Sequence, residues 1–481
     1  SGGSGATDTG GASAPGGMGP GGTVGSAGAG GAAGAGGKAG VSAPSLLMVV
    51  SEKFPAAEAT GICSDLRLRL TFTVPVAAAK AGRINVWKAS DPSVPADSID
   101  LGATGRQDMQ DMIGGRRFFQ NSPVFIDGMV ATIYLHRSKL LPNETYYVTV
   151  DSEVFTDAMG LSLGHIADPA AWRFTTRAAS PASADKLVVS LENMGDFCSV
   201  QGAIDAIPAA NTAPVTVTIK NGTYREIVFI NGKNGITLHG EDRKLTKIAY
   251  ANNEMLNVGT AYRAMVEVER SNDLVIENLT LHNLTPQNGG QAEALRIEAG
   301  DRAILRDLDL LSFQDTLLIS GRAYVTNCFI EGNVDFIWGR GTVLFEKCEI
   351  KTVLRKGYNV QARNTALQYG YVFVDSKLTS SPGITDHFLA RVDGLAYPSS
   401  HVAYINCEMG SHISPLGWLV TNTVNTSLIR YWEYKSVDPS GAPIDVTRRI
   451  AASKQLTDAE AAMMRDKATV FGGTPPWVPM P

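Results

Sequence analysis

Thr326-Asn327-Cys328-Phe329-Ile330 and Glu346-Lys347-Cys348-Glu349-Ile350 are two versions of one five-residue phrase, 20 residues apart. The phrase recurs in both directions. Upstream it reads Glu277-Asn278-Leu279-Thr280-Leu281 and Arg306-Asp307-Leu308-Asp309-Leu310; downstream it reads Val374-Asp375-Ser376-Lys377-Leu378 and Ile405-Asn406-Cys407-Glu408-Met409. The phrase centres at 279, 308, 328, 348, 376 and 407 are spaced by 29, 20, 20, 28 and 31 residues. Short apolar strands flank each phrase and no long helical period intervenes. Repetition at this period with strands marks a solenoid. About 20 residues suffice for one coil of a right-handed parallel β-helix, whose strands stack into parallel sheets. The longer spacings are coils with loops inserted on one face. A leucine-rich repeat needs a Leu/Asn spacing that is missing, and a large β-sandwich is the alternative fold.

Outside the repeats the 481-residue chain divides again. The first 40 positions hold 18 Gly, no aromatic residue and only Asp8 and Lys38 as charges. Such a segment buries too little apolar surface to offset its ordering entropy, so residues 1–43 are expected to be a disordered tether. Residues 44–180 show period-two alternation, as in Leu66-Arg67-Leu68-Arg69-Leu70-Thr71-Phe72 and Tyr146-Tyr147-Val148-Thr149-Val150, which predicts an antiparallel β-sandwich. Leu70–Val76, Leu141–Tyr147 and Trp172–Thr176 resemble a bacterial Ig-like domain. It carries no His, Asp or Glu cluster that asks for chemistry, so it reads as a spacer or weak glycan-contact module. Residues 181–481 form the β-helix, and the fold class is mainly β throughout. A net charge of -5 argues against nucleic-acid binding, and no apolar run is long enough to span a membrane. The start at Ser1 reads as a processed, exported protein, secreted or tethered at a bacterial cell surface, with lipid attachment as one possibility.

The repeat register places the chemistry. Asp315 lies 13 residues before Cys328, and Asp335 lies 13 before Cys348. On stacked coils about 4.8 Å apart they become neighbours. Two like charges that close do not both ionise easily, which separates an acid from a nucleophile or base. Taken alone, two such Asp residues read equally well as turn residues holding their own loops.

The surrounding words decide between these readings. Gly290-Gln291-Ala292-Glu293-Ala294-Leu295, Phe313-Gln314-Asp315-Thr316-Leu317 and Gly332-Asn333-Val334-Asp335-Phe336-Ile337-Trp338-Gly339 resemble successive motifs of the pectin methylesterases, a carbohydrate-esterase family. Gly222-Thr223-Tyr224-Arg225-Glu226, Gln361-Ala362-Arg363 and Gly417-Trp418 also find counterparts. The resemblance implies Asp335 as nucleophile, Asp315 as general acid and then base, Gln291 and Gln314 as oxyanion-stabilising amides, and Arg391 as the cation that holds Asp335 ionised. It implies Phe313, Trp338, Thr285, Trp418 and Arg363 as substrate contacts. The implied partner is methyl-esterified homogalacturonan, the implied form a monomer, and no metal or other cofactor is expected. Two departures stand out. The family's LGRPW segment reads Leu389-Ala390-Arg391-Val392-Asp393 here, so a sugar-stacking aromatic is replaced by an anion; and Glu293 stands where the family has a small apolar residue. Trp338 or Tyr358 could replace the lost stacking surface. Rival readings are a β-helix esterase acting on an acetyl ester or acyl thioester, and a non-catalytic carbohydrate-binding protein.

Five Cys leave at least one unpaired. Cys328 and Cys348, in one inward register about 4.8 Å apart, fall within disulfide range and are expected to bridge. Cys407 is out of reach, and Cys63 and Cys198, in different bodies, are expected to be free. Deleting residues 1–42 should leave melting temperature and activity unchanged, and a lower melting temperature for the truncated protein would show that the segment is structured.

Overall fold

The second residue of each repeated phrase turns a corner. In the computed structural model Asn278, Asp307, Asn327, Lys347, Asp375 and Asn406 all have φ between 48° and 56°. Among L-residues this left-handed region is least costly for Asn and Asp, and only Lys347 departs from that preference. The corner N–H groups donate to carbonyls of the next coil, from Asn278 N to Arg306 O at 3.2 Å through to Asn406 N to Tyr434 O at 2.9 Å. The third residue of each phrase then points inward and is buried.

The structure describes residues 48–103, 110–119, 122–178, 181, 183–423 and 425–480; the tether expected over 1–43 lies outside them. Among the described residues three parallel sheets stack along the solenoid. One has eleven strands from Lys186–Val189 to Ser453–Gln455, a second has eight from Gly222–Tyr224 to Glu408–Met409, and a third has eight from Val228–Asn231 to Trp418–Thr421. The last is called the site sheet below. Like residues stack inside: Phe345, Phe373 and Tyr404 are paired in register, with ring centroids 4.4 and 4.6 Å apart. Outside the eleven-stranded sheet, helices Asp458–Arg465 and Lys467–Phe471 cover Tyr324, Leu344 and Val372.

The N-terminal body packs a four-stranded sheet against a five-stranded one. Its core contains Phe72, Tyr146, Phe155, Trp172 and Phe174, and the Tyr146 hydroxyl accepts from Leu141 N at 2.8 Å, pinning a corner. This body is fastened to the β-helix. Asp65 accepts from the backbone N–H of Cys198 and Ser199 at 3.0 and 2.9 Å. Arg67 pairs with Glu226 at 3.0 Å, both nearly buried. A hairpin, Gln110–Ile113 and Arg116–Phe119, places Ile113 and Phe118 in the hydrophobic core of the β-helix itself. Arg116 pairs with Glu269 at 2.8 Å, and Phe119 N donates to Asn257 at 2.7 Å. A module docked this way is not a free spacer.

The cysteines pair differently from the sequence expectation. Cys63 and Cys198 form a disulfide across the two bodies, with Cα atoms 6.1 Å apart, because the bodies meet where they lie. Cys328 and Cys348 are free and buried. In register, their side chains point the same way, and each thiol donates to strand carbonyls: Cys328 to Thr326 O at 3.3 Å, Cys348 to Val325 O at 3.5 Å. The two thiols also interact with each other, and burial together with that contact raises the Cys328 thiol well above its ordinary range. Alkylation of unfolded, unreduced protein should therefore label three thiols, and five after reduction. Cys63→Ser/Cys198→Ser protein should lose about 2–4 kcal/mol of stability; denaturant unfolding at parent-like stability would contradict this.

Candidate active site

Leu295, Leu317 and Ile337 pair across adjacent strands of the site sheet. Two residues before each stand Glu293, Asp315 and Asp335. The three carboxylates therefore form one row across consecutive coils, and all are buried, at 0, 7 and 5 % exposure. The turns that carry them are laddered, with Ala294 N donating to Thr316 O at 2.8 Å and Asp315 N to Val334 O at 3.2 Å. Asp315 and Asp335 adopt φ of 67° and 47°. As at the repeat corners, Asp accepts these left-handed values at low cost.

A guanidinium closes each end of the row. Arg391, from the strand Phe388–Asp393, reaches over the Tyr358 ring at 5.0 Å. Its Nε donates to both Asp335 oxygens at 2.9 and 3.1 Å, and its Nη2 also donates to Oδ2. Gln361 Nε2 adds a hydrogen bond to Asp335 Oδ2 at 3.3 Å. At the other end Arg263 Nε donates to both Glu293 oxygens at 3.0 Å, and its Nη2 donates to Glu293 Oε1 at 2.8 Å and Asp315 Oδ2 at 2.7 Å. Arg263 Nη1 pairs with Glu254 at 3.1 Å.

Burial raises the Asp335 carboxyl above its ordinary range, and the Arg391 hydrogen bonds and charge pull it back. Asp315 is pushed up much further. Burial is the main cause, the Glu293 charge adds to it, Arg263 opposes it, and Asp335 raises it again. Burial and neighbouring anions thus favour the neutral form more strongly at Asp315 than at Asp335, where Arg391 favours the anion.

The remaining expected residues divide. Gln291 and Gln314 lie on adjacent turns beside the row, where Gln291 O accepts from Glu254 N at 3.0 Å and Gln314 O from Ala292 N at 3.2 Å. Phe313, next to Gln314, is half-buried. Trp338 lines a cleft of about 270 Å3 with Thr260, Arg296, Ser320, Arg340 and Arg363. Arg363 sits 4.8 Å over the Trp338 ring and donates to Gln361 Oε1 at 2.9 Å. Two residues do not join the site. Trp418 is fully buried, stacked on Tyr431 at 4.6 Å with its indole N–H donated to Glu433, so it offers no face to a sugar. Thr285 is also buried, and its hydroxyl, within reach of Asn252 O and Asn253 Nδ2, holds the loop ahead of Arg263.

Asp393 behaves differently from a bare anion in the aromatic's place. Its carboxylate accepts from Leu395 N at 2.9 Å, Ala396 N at 3.3 Å and Asn422 Nδ2 at 3.3 Å, and these bonds hold it below the usual range. The turn it caps delivers Tyr397 to within 5.2 Å of the Arg363 guanidinium. Tyr397, Glu254 and Arg263 were not legible as site residues. The available signal for Arg263 was Glu293 itself, since a carboxylate in an apolar register demands a cation nearby.

Comparison with known proteins agrees with this geometry. The Pectinesterase family model matches residues 186–470, more than half of the chain, and the Bacterial Ig-like domain model matches residues 47–176. Pectinesterase 31 of Arabidopsis thaliana is 32% identical over 287 residues, covering 57% of this chain and 88% of that protein. Pectinesterase 2 of Olea europaea is 34% identical over 281 residues, covering 56% and 74%. Among solved structures, pectin methylesterase PemA from Erwinia chrysanthemi aligns with TM-score 0.52 at 28% identity, covering 62% of this chain and all of that one. A pectin methylesterase in complex with a hexasaccharide aligns with TM-score 0.52 at 26% identity, over 62% of this chain and all of that one. With two buried Asp carboxylates in register on a parallel β-helix and a family match that spans them, the chain belongs to the pectinesterase family.

Proposed function

We propose that this protein hydrolyses the methyl esters of galacturonate units in pectin, releasing methanol, with Asp335 as nucleophile and Asp315 as acid and base. The observation that carries the reading is the split pair: two neighbouring carboxylates, one ion-paired with Arg391 and the other driven toward its neutral form. Asp335 Oδ attacks the ester carbonyl carbon. The Gln291 and Gln314 amides lie beside the row, where their N–H groups can meet the developing oxyanion. Collapse breaks the C–O bond to methoxide, which takes the Asp315 proton and leaves as methanol; the product is an acyl-enzyme anhydride. Asp315, now a carboxylate, takes a proton from water as the water oxygen attacks the anhydride carbonyl. The C–O bond to Asp335 breaks, leaving Asp335 a carboxylate, Asp315 protonated as at the start, and a galacturonic acid unit in the polymer that loses its remaining proton to solvent.

The polymer is proposed to lie along the site sheet past Trp338. Tyr397, brought in by the Asp393-capped turn, supplies part of the stacking surface expected from the replaced aromatic. Asp393, committed to its turn, repels acidic sugars less than a free carboxylate in that register would. The protein is proposed to act outside the cytoplasm, as its interbody disulfide suits an oxidising compartment.

Methanol release from methyl-esterified homogalacturonan tests the reading. Parent protein should release methanol, and Asp335→Asn protein, folded by circular dichroism, should not. Release at the parent rate by that variant would place the nucleophile elsewhere, and an inactive parent that cleaves an acetyl ester would favour the rival esterase. Gln314→Ala should lower kcat by about 10²–10³-fold with little change in KM, because the amide acts on charge present only in the transition state. Tyr397→Ala should instead raise KM for polymer, and an unchanged KM would remove Tyr397 from the substrate path.

A further inference from the structure

The row of carboxylates is longer than a nucleophile and an acid require. Glu293 adds a third anion in the same register, wholly buried, and Arg263, itself 8% exposed at its side chain, is its partner. The direct ion pairs of the row join Arg263, Glu293, Asp315, Asp335 and Arg391, three acids and two guanidiniums, whereas Arg363 acts on Asp315 and Asp335 from farther off, with its N–H groups donated to Gln361. Glu254, the other partner of Arg263, stands outside the row, with 31% of its side chain exposed. In a buried row the unmatched acid holds a proton rather than a charge.

The contacts show which acid is unmatched. Arg391 is engaged wholly with Asp335. Arg263 meets Glu293 through three contacts of 2.8–3.0 Å and Asp315 through one of 2.7 Å. The fork-like engagement belongs to Glu293, and such paired geometry is the stronger ion pair. We infer that Arg263 and Glu293 act together as positioning residues for the acid–base carboxylate: Glu293 takes up the Arg263 charge, leaving Asp315 as the one acid of the row that keeps its proton between turnovers while Arg263 fixes the orientation of its Oδ2. The inference rests on the reading of Asp315 as acid and base.

Without Glu293, Asp315 would be the one acid of the row left to Arg263, which would keep Glu254 as its partner outside the row, and an opposite charge at that range favours ionisation by roughly 1–3 pK units. The groups that face Asp315 are Glu293 from the preceding coil, Arg263 from the coil before that, Asp335 from the following coil, and Arg363 and Arg391 from the two strands beyond; Glu254 stands behind Arg263. Among them, only the Glu293 carboxylate lies against both Arg263 and Asp315 from within the row.

The test is the pH profile of kcat/KM for methanol release. In Glu293→Gln protein the alkaline limb should move toward acid by about 1–3 pH units. In Glu293→Gln/Arg263→Met protein, which removes the unbalanced cation as well, the limb should return to the parent position. A purely structural role predicts the reverse, with the double variant at least as impaired as the single one. An unmoved limb in folded Glu293→Gln protein, or no return in the double variant, overturns the inference. Infrared spectra of the parent and of Asp315→Asn, folded by circular dichroism, at neutral pH do not depend on the Glu293 and Arg263 variants folding. The parent-minus-Asp315→Asn difference spectrum should contain a protonated carboxyl stretch, because buried Glu267 is also driven toward its neutral form and gives a band common to both proteins; a difference spectrum without that stretch overturns the inference. Asp315→Asn turnover separates the two levels. If it keeps the parent kcat, the acid–base reading itself fails. If it is inactive while the Glu293→Gln profile is unmoved, only the role of Arg263 and Glu293 fails.

Discussion

Two carboxylates one strand spacing apart, about 4.8 Å, repel by roughly 3 kcal/mol at an effective dielectric near 20. Three in a buried row are tolerable only if cations sit at the ends and a proton sits between. That constraint orders the site. Arg391 has to cross a strand to reach Asp335, Gln361 has to face the same oxygen, and the segment before the strand Val266–Glu269 has to bring Arg263 back under Glu293. Each of these is a demand on where coils begin and end. The β-helix meets them because its register is rigid: a side chain on one coil lies over its counterpart on the next, so charge can be arranged by sequence position alone.

The same rigidity made much of the molecule readable in advance. The repeated phrase is a corner, and its Asn or Asp is there because the corner needs a left-handed residue. Once the corners are aligned, the Asp315–Asp335 register follows by counting, and the structure keeps it. The split between the two acids was readable only in part: the arginine beside Asp335 was identified, but the burial and the Glu293 charge that raise Asp315 most were not. The Ig-like sheets were legible from alternation, because each strand has one buried and one wetter face, as in Tyr146 and Val148 against Thr145 and Tyr147.

Other features depend on contacts between segments far apart in sequence, and alternation does not report those. Cys63 and Cys198 are separated by 135 residues, and nothing local distinguishes them from free thiols. Counting put Cys328 and Cys348 side by side correctly, but it could not show that both stay thiols that bond to carbonyls. Trp418 follows a glycine at a family-like position, yet its ring lies inside the coil, where Tyr431 and Glu433 receive it. Whether a strand residue faces in or out is fixed by one step of register, and a one-residue difference reverses it.

The docked Ig-like module bears on the row through a continuous set of contacts. Asn257 exchanges hydrogen bonds with Phe119 of the hairpin in both directions, at 2.7 and 2.9 Å. It also donates to Asn252 at 2.7 Å, and Asn252 Nδ2 donates to Tyr262 O and Ala264 O at 2.8 and 2.7 Å, on either side of Arg263. Arg116 adds a hydrogen bond to Ala261 O and stacks on Tyr262 at 4.9 Å. The backbone that presents Arg263 is therefore held from the N-terminal body as well as from the coil below. A guanidinium that must satisfy two acids at once tolerates little drift, because displacement by one ångström leaves a buried carboxylate without its partner. Fastening the module by a disulfide and by buried ion pairs, rather than by a flexible joint, is the arrangement that such a tolerance requires.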